Sequence, residues 1–315
     1  MTDLTTSPVE LSVIIVTCNS SDYVRNCLQS VQRAVEKIDH ELIVVDNASQ
    51  DGTQEIIRNE FSNIRLIVNQ ENLGYARGNN QAIAISRGQY LWLLNPDTMV
   101  PPQTPSILLR EMKRSPRIGL MGCRLLNADQ SIQLSFGFEI SLFNEAVRKL
   151  FFNLWENYRF PPAGWLVRSM HARYREVDWV KGASMVAVRQ AIFDAELMDE
   201  RFFLYLEDAD LSLRLRQLGW KVVYTPDTEI IHFGSGSVRS NPDRSELEHR
   251  ISQLNYFKKH LGPGRLKILK IYLALKLRKN LALITVRKWV GWGSRERLAA
   301  RQRSLQETLS LVRNF

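Results

Sequence analysis

Four apolar runs in the first hundred residues each stop on an Asn or Asp. Leu11–Cys18 (LSVIIVTC) runs into Asn19, Glu41–Val45 (ELIVV) into Asp46–Asn47, Ile64–Val68 into Asn69, and Tyr90–Leu94 (YLWLL) into Asn95–Pro96–Asp97. The first, an apolar run rich in β-branched residues, suits a buried parallel strand, and the other three read as strands beside it. Helical patterns separate them. Ser21 suits the start of a helix reaching about Ala34, with Tyr23, Val24, Cys27, Leu28 and Val31 on one stripe. Asp51–Phe61 and Gly74–Ser86 are the next two helices. The βαβαβαβ order predicts a mostly parallel sheet with right-handed crossovers. Such sheets bind ligands beyond the carboxyl ends of their strands, where these polar clusters fall.

The middle of the chain is less regular. Phe136–Met170 is rich in aromatics, among them Phe151, Phe152, Trp155, Tyr158, Phe160 and Trp165. It reads as a variable insertion or flap whose aromatics suit a satellite core better than a ligand platform. Strand character returns over Val177–Val188, and Gln190–Asp194 starts a short helix. Asp208–Leu218 is a helix with its acids ahead of its arginines, the order its dipole favours. Lys221–Tyr224 and Glu229–His232 are short strands, and Gly234–Asp243 has loop composition. Leu247–Arg303 is helical in propensity, with a break near Gly262–Pro263–Gly264.

Charge separates this last region from the rest. The net charge is +9, yet fourteen Lys and Arg lie between Lys258 and Arg303 beside a single acid, Glu296. The basicity therefore belongs to an appendage and points to a local anionic partner such as a membrane surface. Arg265–Val290 does not make a clean amphipathic helix, because Lys270, Lys276 and Lys288 fall at different angles. A solvated appendage packed on the body and a membrane-surface helix both suit it; Ile271, Tyr272, Leu273, Leu275, Leu277 and Trp289 keep the second open. No run is apolar enough to span a bilayer, and the polar N-terminus lacks a secretory apolar core. Cys18, Cys27 and Cys123 have no metal-type spacing and suit reduced thiols in the cytoplasm. The segment after the first strand lacks Gly-x-Gly-x-x-Gly, which excludes the dinucleotide fingerprint. The basic cluster carries no nucleic-acid-binding motif, so no nucleic-acid partner is expected.

Individual residues then gain chemical meaning. Asp46, with Asn47, can accept hydrogen bonds from a base or ribose, whereas Asp51 in Asp51–Gly52–Thr53 equally suits a helix cap. Gly74, at the head of a helix in Asn72–Asn80 (NLGYARGNN), allows close backbone approach; Arg77 can neutralise a diphosphate or contact a base. Asn95–Pro96–Asp97 is either an Asx-Pro turn or a cation site in which Asp97 supplies the charged ligand. Glu207, Asp208 and Asp210 crowd a helix start, where they can serve the dipole or raise the pKa of one base. Trp179 is either core or a sugar-stacking face.

In order, LSVIIVTCNS, VVDNASQDGT, ENLGYARGNN, LLNPD, VKGAS, LYLEDADLSLRL and IIHFGSGS resemble the motif series of the inverting family 2 glycosyltransferases, in their rhamnosyltransferase-like branch. The resemblance covers about Leu11 to Ser237, and the ordered set is far more specific than any one motif. It implies a Rossmann-like GT-A fold of the α/β class, with a mostly parallel central sheet flanked by helices and a helical basic C-terminal extension. The expected division is a catalytic domain over residues 1–245, with a nucleotide-binding half at 11–125 and an acceptor half at 126–245, and an extension over 246–315.

The resemblance implies nucleotide-sugar contacts at Thr17, Asn19, Asp46, Asn72, Gly74, Arg77 and Asn95. It implies acceptor contacts at Trp179, Lys181, Gly182 and Glu207, a general base at Asp208, and Mg²⁺ or Mn²⁺ at Asp97 with His232. Asn95 stands where the family's metal motif has its first Asp, which leaves Asp97 as the charged ligand. Ser235, Ser237 and Arg239 lie on a loop expected to close over the donor. The implied reaction moves one sugar with inversion, from dTDP-L-rhamnose or alternatively a UDP-sugar. The implied acceptor is a lipid-linked glycan at the cytoplasmic membrane face. Retention of Asp97 and Asp208 counts against a catalytically inactive relative.

Overall fold

The computed structural model describes residues 9–142, 144, 161–234, 242–292 and 294–315. The chain divides into two compact units, one formed by Met1–Glu200 with Glu207–Gly236, the other by Arg201–Leu206 with Ser237–Phe315.

The first unit opens as the apolar runs demand. β1 (Leu11–Thr17), α1 (Ser21–Val35), β2 (His40–Asn47), α2 (Thr53–Glu60), β3 (Ile64–Asn69), α3 (Tyr75–Ile85) and β4 (Tyr90–Leu94) alternate without interruption. β1 pairs in parallel with both β2 and β4, and β2 in parallel with β3. All seven residues of β1 are buried, as are Ile43, Val44 and Val45 of β2 and all of β4. Burial of each such aliphatic contributes roughly 1.5–3 kcal/mol. α3 crosses the sheet at close range: a Cβ on Gly78 would stand 2.8 Å from Val16 Cγ1.

Beyond β4 the sheet changes direction. β5 (Thr98–Met99), α4 (Thr104–Met112), β6 (Ile118–Leu126), β7 (Ile132–Gln133), β8 (Phe136–Gly137), β9 (Arg175–Glu176), β10 (Trp179–Val180), β11 (Ser184–Val188) and β12 (Lys221–His232) follow, with the helices Arg189–Asp194 and Glu207–Gln217 between β11 and β12. The main path of the sheet reads β3-β2-β1-β4-β11-β6-β12-β5. β11 is antiparallel to β4 and β6, whereas β12 runs parallel to β6. β6 was not anticipated from sequence. The expected strand Val177–Val188 is two strands with a turn at Lys181–Ala183 between them. The two short strands expected over Lys221–His232 are one, with a register shift between Thr225 and Glu229 that absorbs Pro226.

Of the expected insertion, Phe151, Phe152, Trp155, Tyr158 and Phe160 lie outside the described residues, and Pro161–Met170 is a helix. Ser235, Ser237 and Arg239 also lie outside them.

The second unit is helical. Pro242–Tyr256 continues into a π-type turn, Phe257–Leu261, and the long helix Gly262–Val290 follows. The break therefore falls just ahead of the expected Gly-Pro-Gly, with Gly262 at φ 80° and Pro263 in the first turn of the new helix. Gly291 (φ 73°) ends it in the left-handed conformation, and Arg295–Asn314 packs back against it. Lys270 Nζ donates to the Arg313 carbonyl and Lys288 Nζ to Gln302 Oε1, so these two helices run antiparallel.

Candidate active site

At the carboxyl end of the parallel strands, β1 and β2 present two buried side chains side by side. Thr17 and Asp46 are register partners. Asp46 is fully buried; its Oδ1 accepts hydrogen bonds from the Ser49 N–H (3.0 Å) and Gln54 Nε2 (2.7 Å). Its Oδ2 and the Thr17 Oγ1 have no hydrogen-bond partner among the described residues. A buried carboxylate oxygen left in this way is costly, and it marks a place where a donor group would be received. Asn19 borders the slot at φ 51°, its N–H donating to Ser49 Oγ and its Oδ1 accepting from the Gln50 N–H.

Asp51 has the structural role instead. It accepts the N–H and hydroxyl of Thr53 at the start of α2, and the Ser21 N–H at the start of α1. Burial pushes its carboxyl up, but these hydrogen bonds together hold it below the ordinary Asp value. Asn72 caps the turn into α3 through the Gly74 N–H (2.9 Å), and Gly74 takes φ 84° there. Asn47 Nδ2 donates to the Gly74 carbonyl at 3.0 Å, which ties that turn to the end of β2. Arg77 is half-exposed, with its guanidinium 3.6 Å from Glu200.

After β4, Asn95 and Asp97 meet His232 at the end of β12. His232 Nε2 lies 3.4 Å from Asp97 Oδ1 and 3.3 Å from Asn95 Nδ2. His232 and Asp97 are both buried. Gln133 orients the ring: its Nε2 donates to the Asn127 Oδ1 and to the His232 carbonyl, which turns its Oε1 toward His232 Nδ1 at 3.0 Å. That oxygen can only accept, so Nδ1 carries a proton and Nε2 is the nitrogen facing Asp97. An imidazole nitrogen and a carboxylate side by side are donor types that a divalent cation accepts. One carboxylate and one imidazole also leave most of a divalent ion's shell to phosphate oxygens and water. The residues fit a cation, although no cluster of three His, Cys, Asp or Glu side chains forms among the described residues.

Asp208 begins the helix Glu207–Gln217. Its Oδ2 accepts the Gly182 N–H at 2.9 Å and its Oδ1 the Ala209 N–H at 2.8 Å. Burial raises its pKa, although the Gly182 and Ala209 N–H groups and the nearby Lys181 oppose the rise. Burial, then the neighbouring Asp208, drive Glu207 further upward, and its Oε2 has no partner among the described residues. Asp210 is paired with Arg214 at 2.8 Å.

The turn Lys181–Ala183 joins these parts. Gly182 holds Asp208, the Ala183 carbonyl accepts the Asn95 N–H at 3.0 Å, and Lys181 Nζ donates to Gln133 Oε1 at 3.1 Å. Tyr75, at the head of α3, donates its hydroxyl to the Gly182 carbonyl at 2.8 Å. Burial, Glu207 and Asp208 push its phenol upward, so it remains a donor. A contiguous chain of contacts thus runs from Asn47 through Gly74, Tyr75 and Gly182 to Asp208, and from Ala183 through Asn95 to His232 and Asp97.

Trp179 stands apart from this chain. Its indole covers Gly137, where a Cβ would lie 2.2 Å from the ring, and its N–H donates to the Phe138 carbonyl. Gln133 and Tyr75 were missing from the sequence-based site. Gln133 sits in none of the motifs, Tyr75 sits inside NLGYARGNN but was given no role there, and each acts across a long separation in the chain.

A β3-β2-β1-β4 parallel half joined to a mixed half, with carboxylates at the strand ends, agrees with the GT-A fold. A family model described as glycosyl transferase family 2 matches residues 12–171, and the chain belongs to that family. It is 28% identical over 286 residues to an N-acetylglucosaminyl-diphospho-decaprenol L-rhamnosyltransferase of Mycobacterium tuberculosis, covering 87% of this chain and 91% of the relative. It is 27% identical over 259 residues to the O-antigen biosynthesis protein RfbC of Myxococcus xanthus, covering 81% of this chain and 19% of that protein. Among solved structures, a mannosyltransferase of Pyrobaculum calidifontis in complex with GDP-Man and Mn²⁺ superposes with a TM-score of 0.56. Its sequence identity is 14%, over 98% of this chain and 85% of that one.

Proposed function

We propose that this glycosyltransferase moves L-rhamnose, from dTDP-L-rhamnose, onto a hydroxyl of a lipid-linked glycan in cell-surface polysaccharide synthesis, with inversion at the anomeric carbon. The observation that carries the proposal is the turn Lys181–Ala183, which bonds to Asp208 on one side and to Asn95 on the other. In this reading Asp208 and Asn95, gathered by one short turn, serve as base and diphosphate-facing group at the two ends of a single displacement.

In this proposal Asp46 Oδ2 and Thr17 receive the base of the donor, with Asn19 as the wall of that slot. Asn72, Gly74 and Arg77 border the diphosphate. Asp97 and His232 hold Mg²⁺ or Mn²⁺, which when bound supplies positive charge to the departing diphosphate. Asp208 takes the proton of the acceptor hydroxyl. Lys181, Gly182 and Glu207 form the acceptor wall, with Trp179 at its margin. The expected division at residues 245 and 246 is retained as a proposal for where the catalytic part ends. The relative in Mycobacterium tuberculosis supports both the rhamnosyl donor and the lipid-linked acceptor.

The test is nucleoside diphosphate release from dTDP-L-rhamnose and a panel of UDP-sugars, with and without a polyprenyl-diphosphate-linked sugar, in Mg²⁺, Mn²⁺ or EDTA. Metal-dependent release from dTDP-L-rhamnose that rises with the acceptor is the expected result. Release from a UDP-sugar alone would reassign the donor. No release, together with no nucleotide binding, would overturn the proposal.

A further inference from the structure

We propose that one face of the long helix Gly262–Val290 docks on an anionic membrane surface. The helix carries two apolar stripes. Leu269, Leu273, Leu277 and Ile284 form the buried one. Ile268, Ile271, Leu275, Leu283, Val286 and Trp289 form the other, and all six are exposed. At 100° per residue the exposed stripe spans roughly 120° of the helix, on the side away from the buried one. Leu275 is 59% and Trp289 87% accessible, an unusual state for residues of this size in one continuous row.

Charge identifies the occupant. From Gly262 to Arg295 the chain has nine Lys and Arg and no acid. Lys267 and Arg278 flank the stripe on one side, Arg265 and Arg287 on the other, and Lys279 lies within it; all are exposed. A second copy of the chain laid on this face would bring Arg278 and Lys279 against their own counterparts, with no acid on the helix to separate them. An anionic lipid surface meets both features: acyl chains take the stripe and headgroups take the flanking cations. Trp289 and Trp292, both exposed at the carboxyl end, suit the headgroup level, and Arg287 already lies over the Trp292 ring. Among the described residues no helix is long and apolar enough to cross a membrane, so the helix lies along the surface. At 1.5 Å per residue the contact line from Ile268 to Trp289 is about 32 Å long. The assignment deepens the lipid-linked acceptor proposal and takes only its biological purpose from it.

The experiment is vesicle flotation of the full chain without donor, using phosphatidylcholine alone or mixed with phosphatidylglycerol. The protein should float with the mixed vesicles only. The double variant Leu275→Ser, Val286→Ser should bind them at least about tenfold more weakly. Arg278→Gln with Lys279→Gln should also weaken binding and flatten its salt dependence. Brominated lipid should quench the emission of the wild type more than that of Trp289→Phe. All variants should keep the wild-type circular dichroism and the same nucleoside diphosphate release from soluble donor. Flotation of the serine variant at wild-type affinity would overturn the proposal. So would indifference of the wild type to phosphatidylglycerol, or a dimer in sedimentation that the serine variant dissolves. Failure of the wild type to float, with intact release, sinks the docking face alone, whereas flotation of the wild type without release sinks only the transferase proposal.

Discussion

Gln133 Oε1 lies 3.0 Å from His232 Nδ1, and this contact presents the opposite ring nitrogen to Asp97. Gln133→Leu removes the acceptor and frees the ring to turn. Loss of a group that orients a metal-binding histidine costs about 10- to 100-fold in affinity. Mn²⁺ titration in the presence of nucleotide should show a loss of that size. Near-normal nucleotide affinity without metal should accompany it. Unchanged Mn²⁺ affinity would mean that His232 does not hold the cation.

Asp208 has a raised pKa and accepts two backbone N–H groups, which fix the direction of its carboxylate. Asp208→Asn retains the size and removes the basicity. kcat should fall about 10²- to 10⁴-fold with donor affinity unchanged. In the wild type, a base must lose its proton to act. The rate should therefore rise with pH through a midpoint above the ordinary Asp value, and fall again as acid reprotonates it. Steady-state kinetics against pH measure both.

Glu207 gives the stability counterpart. Its folded pKa is raised by burial and by Asp208, whereas the unfolded chain has the ordinary value. Between the two the folded state binds more protons, so this group's contribution favours folding at low pH and is lost as pH rises through the window. Glu207→Gln removes that penalty. The variant should melt a few degrees higher than wild type at neutral pH, and the difference should vanish in acid. Melting curves at a series of pH values decide it.

Much of the first unit was legible because its signal is local. The runs at Leu11 and Tyr90 are buried throughout and that at Glu41 from Leu42 onward, so burial is visible residue by residue; the Ile64 run, on the edge of the sheet, is only partly buried, with Arg65 exposed. β6 was hidden by its glycines, which tertiary packing demands. A Cβ at Gly119 would stand 2.8 Å from Trp220 Cβ, and one at Gly122 2.8 Å from Val180 Cβ. The long helix hid its pattern differently. Its buried and exposed apolar stripes lie on opposing sides, so their periodicities cancel and no single amphipathic face emerges. Asp46, Asp97, Asp208, His232 and the turn residues Lys181 and Gly182 were named from motifs, but Gln133 was not, because it reaches His232 across 99 residues.

Gly78 tests the packing behind the proposed donor slot. Its missing Cβ would meet Val16 Cγ1 at 2.8 Å and Cγ2 at 3.1 Å, one residue before Thr17. Gly78→Ala gains helix propensity but forces α3 away from β1. Overpacking of this kind costs about 1–3 kcal/mol. Denaturant unfolding should show a net loss, and nucleotide affinity should drop because Thr17 moves with Val16. A stabilised variant would show that α3 can lift without cost.

Asp46 offers the sharpest separation of binding from folding. Its Oδ1 is satisfied by Ser49 and Gln54, while its Oδ2 is buried without a partner among the described residues. In Asp46→Asn the amide oxygen can keep the first two bonds, which places the amide nitrogen where Oδ2 stood. A donor then faces the N–H of an incoming base, and a lost hydrogen bond to a charged group lowers affinity about 10- to 100-fold. Calorimetric titration with dTDP and UDP should show that loss. The same change removes a buried, unsatisfied charge, so the variant should be at least as stable as wild type. Weaker binding with higher stability is the signature of a residue kept for its ligand. Weaker binding with lower stability would show instead that Asp46 serves the Ser49–Gln54 turn, and wild-type affinity would remove it from the nucleoside site.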